Sequence, residues 1–350
     1  MTLTQVTPIK DSLREESRLG AVGRSTWVAS RHLGLNFIGP FALGDPSPIG
    51  SPADVTVTVE PSRPVAQDSP GPTLAAMVAQ GEEIYTLYSA GNGYVFRFHG
   101  LCEFRVSEDG SAVRCFPGPT MNEGFLHVLL TGAITALLVA LRGHAVLHAS
   151  AITYGHHTIV FAGPSGMGKT TAAALCCAAG ARFISDDVVS LEGERGGIAC
   201  VGLGSELRLR QQAMGIAELF PPPPLERRTT ADGRLAIRPP RPRQEHNLIS
   251  AVVLPLPVRG PEHVTVRRLL PAQGVAALLA NARIPGMVPP DWQRTHFEAT
   301  ANLVARVPVL EATVPWGPPF TATVASELLS LTTHAAREAV GAGRDPDTGA

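Results

Sequence analysis

One glycine-rich stretch limits the fold of this 350-residue chain more than any other feature. Residues 163–170 read G-P-S-G-M-G-K-T, which fits the pattern G-x-x-x-x-G-K-[ST]. An apolar, β-rich run at 158–162 precedes it, and an Ala/Leu-rich run at 170–179 follows, with Gly180 after that. The order predicts a strand, a phosphate-binding loop and a helix, because the loop amides and the helix N-terminus converge on an anion.

This pattern assigns roles to individual side chains. Lys169 is predicted to reach the β- and γ-phosphates of a nucleotide, and the Thr170 hydroxyl to bind Mg²⁺. A chance glycine turn is the alternative, but Lys10 and Lys169 are the only lysines in the chain, which makes a chance match rare. The residues predicted to surround the phosphates are Gly163, Pro164, Ser165, Gly166, Met167, Gly168, Lys169, Thr170 and Thr171.

Two adjacent carboxylates follow the next predicted strand, 182–185. Asp186 and Asp187 in an extended stretch would point to opposite faces. One could then hold Mg²⁺ while the other acts as general base toward an acceptor hydroxyl. The alternative is a pair of turn-forming aspartates. His148, on a strand predicted at 146–153, is either an ordinary core or surface histidine or one that orients a carboxylate or the transferred phosphate.

Composition excludes several other function classes. The net charge is −1 and aromatic residues make up 5% of the chain, so neither a basic surface nor a stacking platform for nucleic acid is predicted. The five cysteines are odd in number and form no C-x-x-C pair, which favours a reduced, cytoplasmic protein. Cys176 and Cys177 are interpreted as small packing residues.

No membrane segment is predicted. Residues 1–20 are polar and lack the apolar core of a secretion signal. Residues 125–141 are strongly apolar, but the uninterrupted part, 129–141, is shorter than a bilayer requires. We therefore predict a buried helix over about 122–142.

The chain divides into four segments by composition. Residues 1–20 and 341–350 are predicted to be disordered. Residues 21–118 read as a mostly β N-terminal domain, including a hairpin over 102–116 with an Asp109-Gly110 turn, and 119–340 as an α/β domain. The sequence leaves the use of the N-terminal domain open among substrate docking, oligomerisation and covering of the core.

A basic segment at 225–247 is poor in apolar residues and predicts a mobile loop. Its part at 225–243 could close over an acidic or phosphorylated peptide, a hypothesis based on arginine density alone. The arginines are Arg227, Arg228, Arg234, Arg238, Arg241 and Arg243.

The motifs together resemble a known family. The stretches L-H-A-S-A-I at 147–152, G-P-S-G-M-G-K-T-T at 163–171 and F-I-S-D-D-V-V at 183–189 resemble the catalytic domain of HPr kinase/phosphorylase. They are more similar still to the HPr-kinase-like serine kinases found beside bacterial peptide-biosynthesis genes, including lasso-peptide kinases. The resemblance is specific over 146–191 and loose over 120–320. It implies a P-loop fold related to phosphoenolpyruvate carboxykinase and phosphoryl transfer to a serine of a protein or peptide.

The resemblance also implies roles by position. His148 matches the family's histidine before the phosphate loop, Asp186 the metal-associated aspartate and Asp187 the base. Arg208 and Arg210 fall on a strand that is basic in the related kinases, where phosphate or substrate contact and plain surface placement are equal alternatives.

The chain departs from the family in two places. Cys200 and Val201 stand where the next family motif begins with charged residues, so the resemblance does not extend to the phosphorylase half-reaction. The N-terminal domain does not resemble that of the family, so it does not extend to HPr as the substrate.

The sequence therefore predicts an ATP- and Mg²⁺-dependent kinase of a protein or peptide serine, for which a ribosomally made precursor peptide is one candidate. A kinase of a small-molecule hydroxyl and a non-catalytic nucleotide-binding scaffold are the alternatives. GTP or pyrophosphate as donor, and a homo-oligomer, stay open.

Overall fold

The structure, a computed structural model, describes residues 27–342. The segment predicted to be disordered at 1–20 lies outside the described residues, as do residues 343–350 of the tail predicted at 341–350. Residues 341 and 342 of that tail are helical instead, because the last helix continues to Ala342. In the described part, consecutive strands precede the first helix, as predicted for this stretch. They are β1 (Val28–His32), β2 (Leu35–Gly39), β3 (Asp45–Pro46), β4 (Val55–Val59), β5 (Thr73–Ala79), β6 (Glu82–Ala90), β7 (Gly93–Phe98), β8 (Cys102–Ser107) and β9 (Ala112–Pro117).

These strands form one sheet in the order β3-β1-β2-β4-β9-β8-β7-β6-β5. Val57, Phe104 and Val113 alternate with polar neighbours and are buried on one face of the sheet. The predicted β8–β9 hairpin is confirmed. Its turn is held by the Asp109 carboxylate, which accepts hydrogen bonds from Ser107 Oγ at 2.6 Å and from the Ser111 amide at 3.0 Å.

The apolar segment after the sheet is a continuous helix, as predicted. It consists of α1 (Glu123–Leu129), a π-helical stretch (Leu130–Ile134) and α2 (Thr135–Leu141). Asn122 caps its start by accepting the Phe125 amide hydrogen bond at 2.8 Å. Its length and composition would suffice to cross a membrane, yet 67% of its most apolar window is buried inside the protein.

The remaining strands form two further sheets. They are β10 (Ala145–Leu147), β11 (Ala149–Tyr154), β12 (His157–Ala162), β13 (Arg182–Ser185), β14 (Val189–Glu194), β15 (Gly197–Val201), β16 (Leu207–Leu209), β17 (Arg227–Thr229), β18 (Leu235–Ile237), β19 (His246–Val258), β20 (Thr265–Arg268) and β21 (Val309–Pro315). The larger sheet runs β10-β14-β15-β19-β12-β11-β13, with β21 also pairing β19 and β20 pairing β21. Within this larger sheet the β12–β19 and β19–β21 pairs are parallel, and the other strand pairs described are antiparallel. The single strand predicted at 146–153 is interrupted at His148, so β10 and β11 pair with different neighbours.

Helices cover both faces of the larger sheet. The helices are α3 (Lys169–Ala178), a 3-10 helix (Gln211–Leu219), α4 (Pro271–Leu279), α5 (Pro290–Arg306) and α6 (Ala322–Ala342). Phe161 of β12 packs in the core that includes α3 and α6. Its neighbour Val160 packs on the other face with Leu278 of α4 and Leu303 of α5. Side chains alternate between the faces of a strand, so this arrangement confirms a mixed α/β fold. Cys176 and Cys177 are buried in the first of these cores, as predicted.

The prediction of a mobile basic loop over 225–247 is wrong. The segment supplies β17 and β18 to a sheet ordered β16-β18-β17, and Ala236 and Ile237 of β18 are buried. Burial of these apolar residues fixes the segment. Its charges are also largely neutralised by ion pairs within the fold. The pairs are Arg227 with Glu218, Arg228 with Glu206, Arg234 with Asp232, and Arg238 with Glu226.

Residue contacts divide the chain into two compact units. The first runs to His144 and includes Thr229–Arg234 and Ile284–Arg294; the second contains the rest of the chain from Ala145. The sequence analysis drew its boundary at 118 and 119, before the apolar helix. Contacts group this helix with the first unit. His32 Nε2 of β1 lies 3.0 Å from the Thr131 carbonyl oxygen of the helix.

Candidate functional site

The glycine-rich loop, residues 163–168, connects β12 to α3 as the sequence predicted. Gly166 and Gly168 have φ angles of +87° and +83°, a conformation that residues with a Cβ adopt rarely. Gly168 directly precedes α3 at the N-cap position, and no side chain caps this helix start. The first amides of α3 are therefore available to an anion, and the helix dipole favours negative charge there.

The Lys169 side chain folds back onto this loop. Its Nζ donates hydrogen bonds to the carbonyl oxygens of Gly163 at 2.7 Å and Pro164 at 3.0 Å. Burial lowers the pKa of Lys169 to about 8, although the carboxylates of Asp186 and Asp187 act in the opposite direction. A buried ammonium with a depressed pKa is stabilised by any phosphate that approaches it.

Asp186 is bound by hydroxyl groups. Its Oδ1 accepts hydrogen bonds from Thr170 Oγ1 at 2.8 Å and from Ser150 Oγ at 2.6 Å, and its Oδ2 accepts one from the Arg208 amide at 3.2 Å. Carboxylate and hydroxyl oxygens are ligands that Mg²⁺ prefers, so Thr170 and Asp186 fit this ion. Among the described residues no three His, Cys, Asp or Glu side chains form a metal cluster. Further ligands would therefore come from water and phosphate, as is usual for Mg²⁺.

Asp187 is contacted by basic side chains instead. Arg283 Nη2 donates a hydrogen bond to its Oδ2 at 2.8 Å, Arg208 Nη2 lies 3.5 Å from the same oxygen, and His148 Nε2 lies 3.4 Å from Oδ1. Burial by itself raises the pKa of Asp187. Arg283, His148 and Arg208 outweigh burial and hold that pKa well below its ordinary value. Asp187 is therefore a carboxylate at neutral pH.

The backbone conformation at the two aspartates differs from the prediction. The sequence analysis placed both in an extended stretch, but β13 ends at Ser185 and the chain bends at Asp186 and Asp187. Asp187 has a φ of +73°, which is uncommon for a residue with a Cβ. Because of this strained bend, the two neighbouring carboxylates face different side chains. Hydroxyl groups bond Asp186, and basic side chains contact Asp187.

A short stretch after α4 positions the cations around Asp187. The His148 amide donates to the Asn281 carbonyl oxygen at 2.8 Å, and the Arg283 amide donates to the Val146 carbonyl oxygen at 2.9 Å. Leu147 and Ala282 form the bridge between these bonds. Residues 281–283 therefore run beside the end of β10, which brings Arg283 next to His148.

Sequence reasoning missed two members of this site. Arg283 belongs to no recognisable motif and lies 96 positions after Asp187. Ser150 follows His148 by two residues, and alternation along a strand could have placed both on one face. Of the two predicted arginines, Arg208 is buried and contacts Asp187, so it is not a surface residue. Arg210 is exposed, and its Nη2 donates to Ser165 Oγ of the glycine-rich loop at 2.9 Å.

The chain matches no protein-family model and no curated protein. Among solved structures it is similar to the HPr(Ser) kinase/phosphatase from Coxiella burnetii, with a TM-score of 0.31 and 11% sequence identity. The match covers 58% of this chain and 99% of that one. A similarity of this size carries no argument about function, so function has to be argued from the residues of the site.

Proposed function

We propose that this protein is an ATP- and Mg²⁺-dependent kinase that transfers the γ-phosphate to a serine hydroxyl of a protein or peptide. A ribosomally made precursor peptide is the first candidate acceptor. The observation that carries the proposal is the pair of carboxylates beside the glycine-rich loop. Asp186 bonds the Thr170 hydroxyl at 2.8 Å, while Asp187 bonds Arg283 at 2.8 Å. One carboxylate is thus suited to a metal and its neighbour to a proton.

The nucleotide would be held by the loop and the start of α3. The loop amides and the uncapped helix start would bind the β- and γ-phosphates, and Lys169 would exchange its bonds to loop carbonyls for phosphate oxygens. Thr170 and Asp186 would hold Mg²⁺, which neutralises phosphate charge when bound. Arg210, bonded to Ser165 of the loop, would add a phosphate contact.

Asp187 would orient the acceptor and take its proton. The serine oxygen forms a bond to the γ-phosphorus, the bond from that phosphorus to the β–γ bridging oxygen breaks, and the hydroxyl proton moves to Asp187. A strong base is not needed, because phosphoryl transfer passes through a loose transition state in which positioning dominates. His148, Arg208 and Arg283 would fix the direction of the carboxylate.

The acceptor class rests on the motif resemblance over residues 146–191. That resemblance also supports assigning the second unit to the P-loop fold of HPr kinase and phosphoenolpyruvate carboxykinase. A small-molecule hydroxyl kinase would use the same carboxylates, so only the acceptor distinguishes it. A nucleotide-binding scaffold would have no use for a carboxylate held as an anion beside the loop.

Intact-mass spectrometry tests the proposal. The purified protein is incubated with Mg²⁺, ATP and the peptides and proteins encoded beside its gene, with Lys169→Ala as the inactive control and Arg267→Ala as a matched surface control. We expect one acceptor to gain about 80 Da per phosphate with the wild type and Arg267→Ala only. Fragmentation should place the phosphate on a serine.

Two other results would contradict the proposal, and each would indicate a different function. Transfer of labelled phosphate to a small molecule, with no peptide or protein modified, would indicate a kinase of a small-molecule hydroxyl. MgATP binding without transfer to any acceptor would indicate a non-catalytic nucleotide-binding scaffold.

A further inference from the structure

A cluster of arginines lies on the sheet of the first unit, among residues of β8 and β9 and the segment after β4. Arg63, Arg105 and Arg114 surround the ring of Phe116, with guanidinium carbons 3.9, 5.1 and 5.3 Å from the ring centroid. We call these three residues the arginine patch. Their side chains are 44%, 51% and 57% exposed.

The patch carries an excess of positive charge. Glu103, only 3% exposed, accepts hydrogen bonds from Arg97, Arg105 and Arg63 at 2.8, 3.0 and 3.3 Å. Glu60 accepts one from Arg114 at 3.0 Å. Four arginines therefore share two glutamates in this part of the sheet. Two carboxylates balance two of these four positive charges, so the set has an excess of two positive charges.

Arg105 and Arg114 are each held by a hydrogen bond from one side of the guanidinium group. Arg105 and Arg114 are directly opposite each other on β8 and β9, an arrangement that costs stability because like charges repel. Each bonds its glutamate through Nε. Within residues 27–342, no protein group accepts a hydrogen bond from their Nη atoms. Two guanidinium forks are thus presented from rigid strands, and such a fork matches a carboxylate with two parallel hydrogen bonds.

We propose that the arginine patch binds an acidic segment, rich in Asp and Glu, of a partner protein. Charge complementarity selects this occupant, because the set has more arginines than glutamates and the Nη atoms of Arg105 and Arg114 fit carboxylates. Single-stranded nucleic acid fits less well, since Phe116 is 7% exposed and covered by Arg63, so that no base can stack on it. The proposal does not depend on phosphoryl transfer.

Fluorescence anisotropy of a fluorescein-labelled peptide of eight glutamates tests this proposal on the full chain. The test variant is Arg105→Gln/Arg114→Gln. The matched control is Arg267→Gln/Arg268→Gln, which removes two exposed arginines of β20, one of them paired with Glu311 as Arg114 is with Glu60. We expect the test variant to lose about tenfold in affinity and the control to match the wild type. Binding of the wild type should weaken steeply with added salt.

Several results would overturn the proposal. It fails if the wild type does not bind the peptide at low salt, if both double variants lose the same affinity, or if an oligothymidine of equal charge binds more tightly than the peptide. Circular dichroism melting checks that the test variant is folded. If it is not, Arg114→Gln alone, which removes the arginine that bonds Glu60 and leaves the three arginine partners of Glu103 in place, must lower the affinity by about threefold or the proposal is rejected.

Discussion

The two units each contain a carboxylate contacted by three basic side chains, and the two carboxylates differ in what surrounds them. Asp187 of the second unit is contacted by His148, Arg208 and Arg283. Glu103 of the first unit is contacted by Arg63, Arg97 and Arg105. The number of basic side chains around each carboxylate therefore does not distinguish the two clusters.

Backbone and access distinguish them. Glu103 lies within the regular strand β8 and its side chain is 3% exposed. Asp187 lies in a bend with a φ of +73°, is 20% exposed, and follows a carboxylate bonded to the helix after the glycine-rich loop. A charge cluster therefore does not identify a reactive site. Local backbone strain together with an adjoining glycine-rich loop and uncapped helix start is the stronger sign.

The largest expected effect is on chemistry at Asp187. Asp187→Asn should lower kcat for phosphoryl transfer about 10³-fold, because the amide cannot take the acceptor proton. MgATP affinity should be kept or improved, since the change removes a negative charge near the phosphates. Single-turnover kinetics and calorimetric titration measure the two quantities. An active variant would remove the base assignment.

Glu103→Gln should lower the stability of the fold and leave catalysis unchanged, which is the opposite of the effect expected for Asp187→Asn. We expect it to destabilise the fold by about 3 kcal/mol, because Arg97 stays buried without its counter-charge. The catalytic constant should not change. Urea unfolding followed by circular dichroism measures the loss. Glu60→Gln, which removes a partly exposed partner of Arg114, is the control and should cost less than about 1 kcal/mol. Equal losses in both variants would contradict the role given to burial.

Arg283→Gln tests whether this arginine positions Asp187. We expect kcat to fall between about 10- and 100-fold, because the carboxylate loses its shortest contact. Arg283 lowers the pKa of Asp187, so its removal raises that pKa. Activity that requires ionised Asp187 should then be lost at a higher pH as the solution is acidified. A pH–rate profile with an unmoved acidic limb would argue against this role.

The smallest effect concerns the pH dependence of nucleotide binding. The pKa of Lys169 is about 8 without nucleotide, and bound phosphate should raise it. Affinity for MgATP should be full below pH 8 and fall by up to about tenfold per unit above it, because binding must then recapture a proton. Calorimetry between pH 7.5 and 9 measures this, and the slope should be absent in Lys169→Met. The same slope in that variant would assign the titration to another group.

Local structure could be predicted from the sequence where neighbouring residues of one stretch determine it. The strand, glycine turns and helix around Lys169 follow from neighbouring residues, as do the hairpin at Asp109-Gly110 and the buried apolar helix. Asp186 and Asp187 were found for the same reason, although their bend was not, because a positive φ at a non-glycine residue is imposed by tertiary contacts.

What sequence reasoning missed depends on distant partners. Arg283 joins Asp187 only because residues 281–283 run beside β10, and no local pattern encodes that pairing. The segment at 225–247 was misread because its arginines were counted without their carboxylates. The apolar run Leu235, Ala236 and Ile237 was the available sign of a strand.

The position of Arg283 in the chain has a consequence during synthesis. A ribosome makes the glycine-rich loop and both aspartates well before Arg283, which follows Asp187 by 96 residues. Asp187 on an unfinished chain therefore lacks its closest cation, and with it the contact that fixes its direction. The contacts around Asp187 are therefore complete only in a molecule whose translation has passed α4 and reached Arg283.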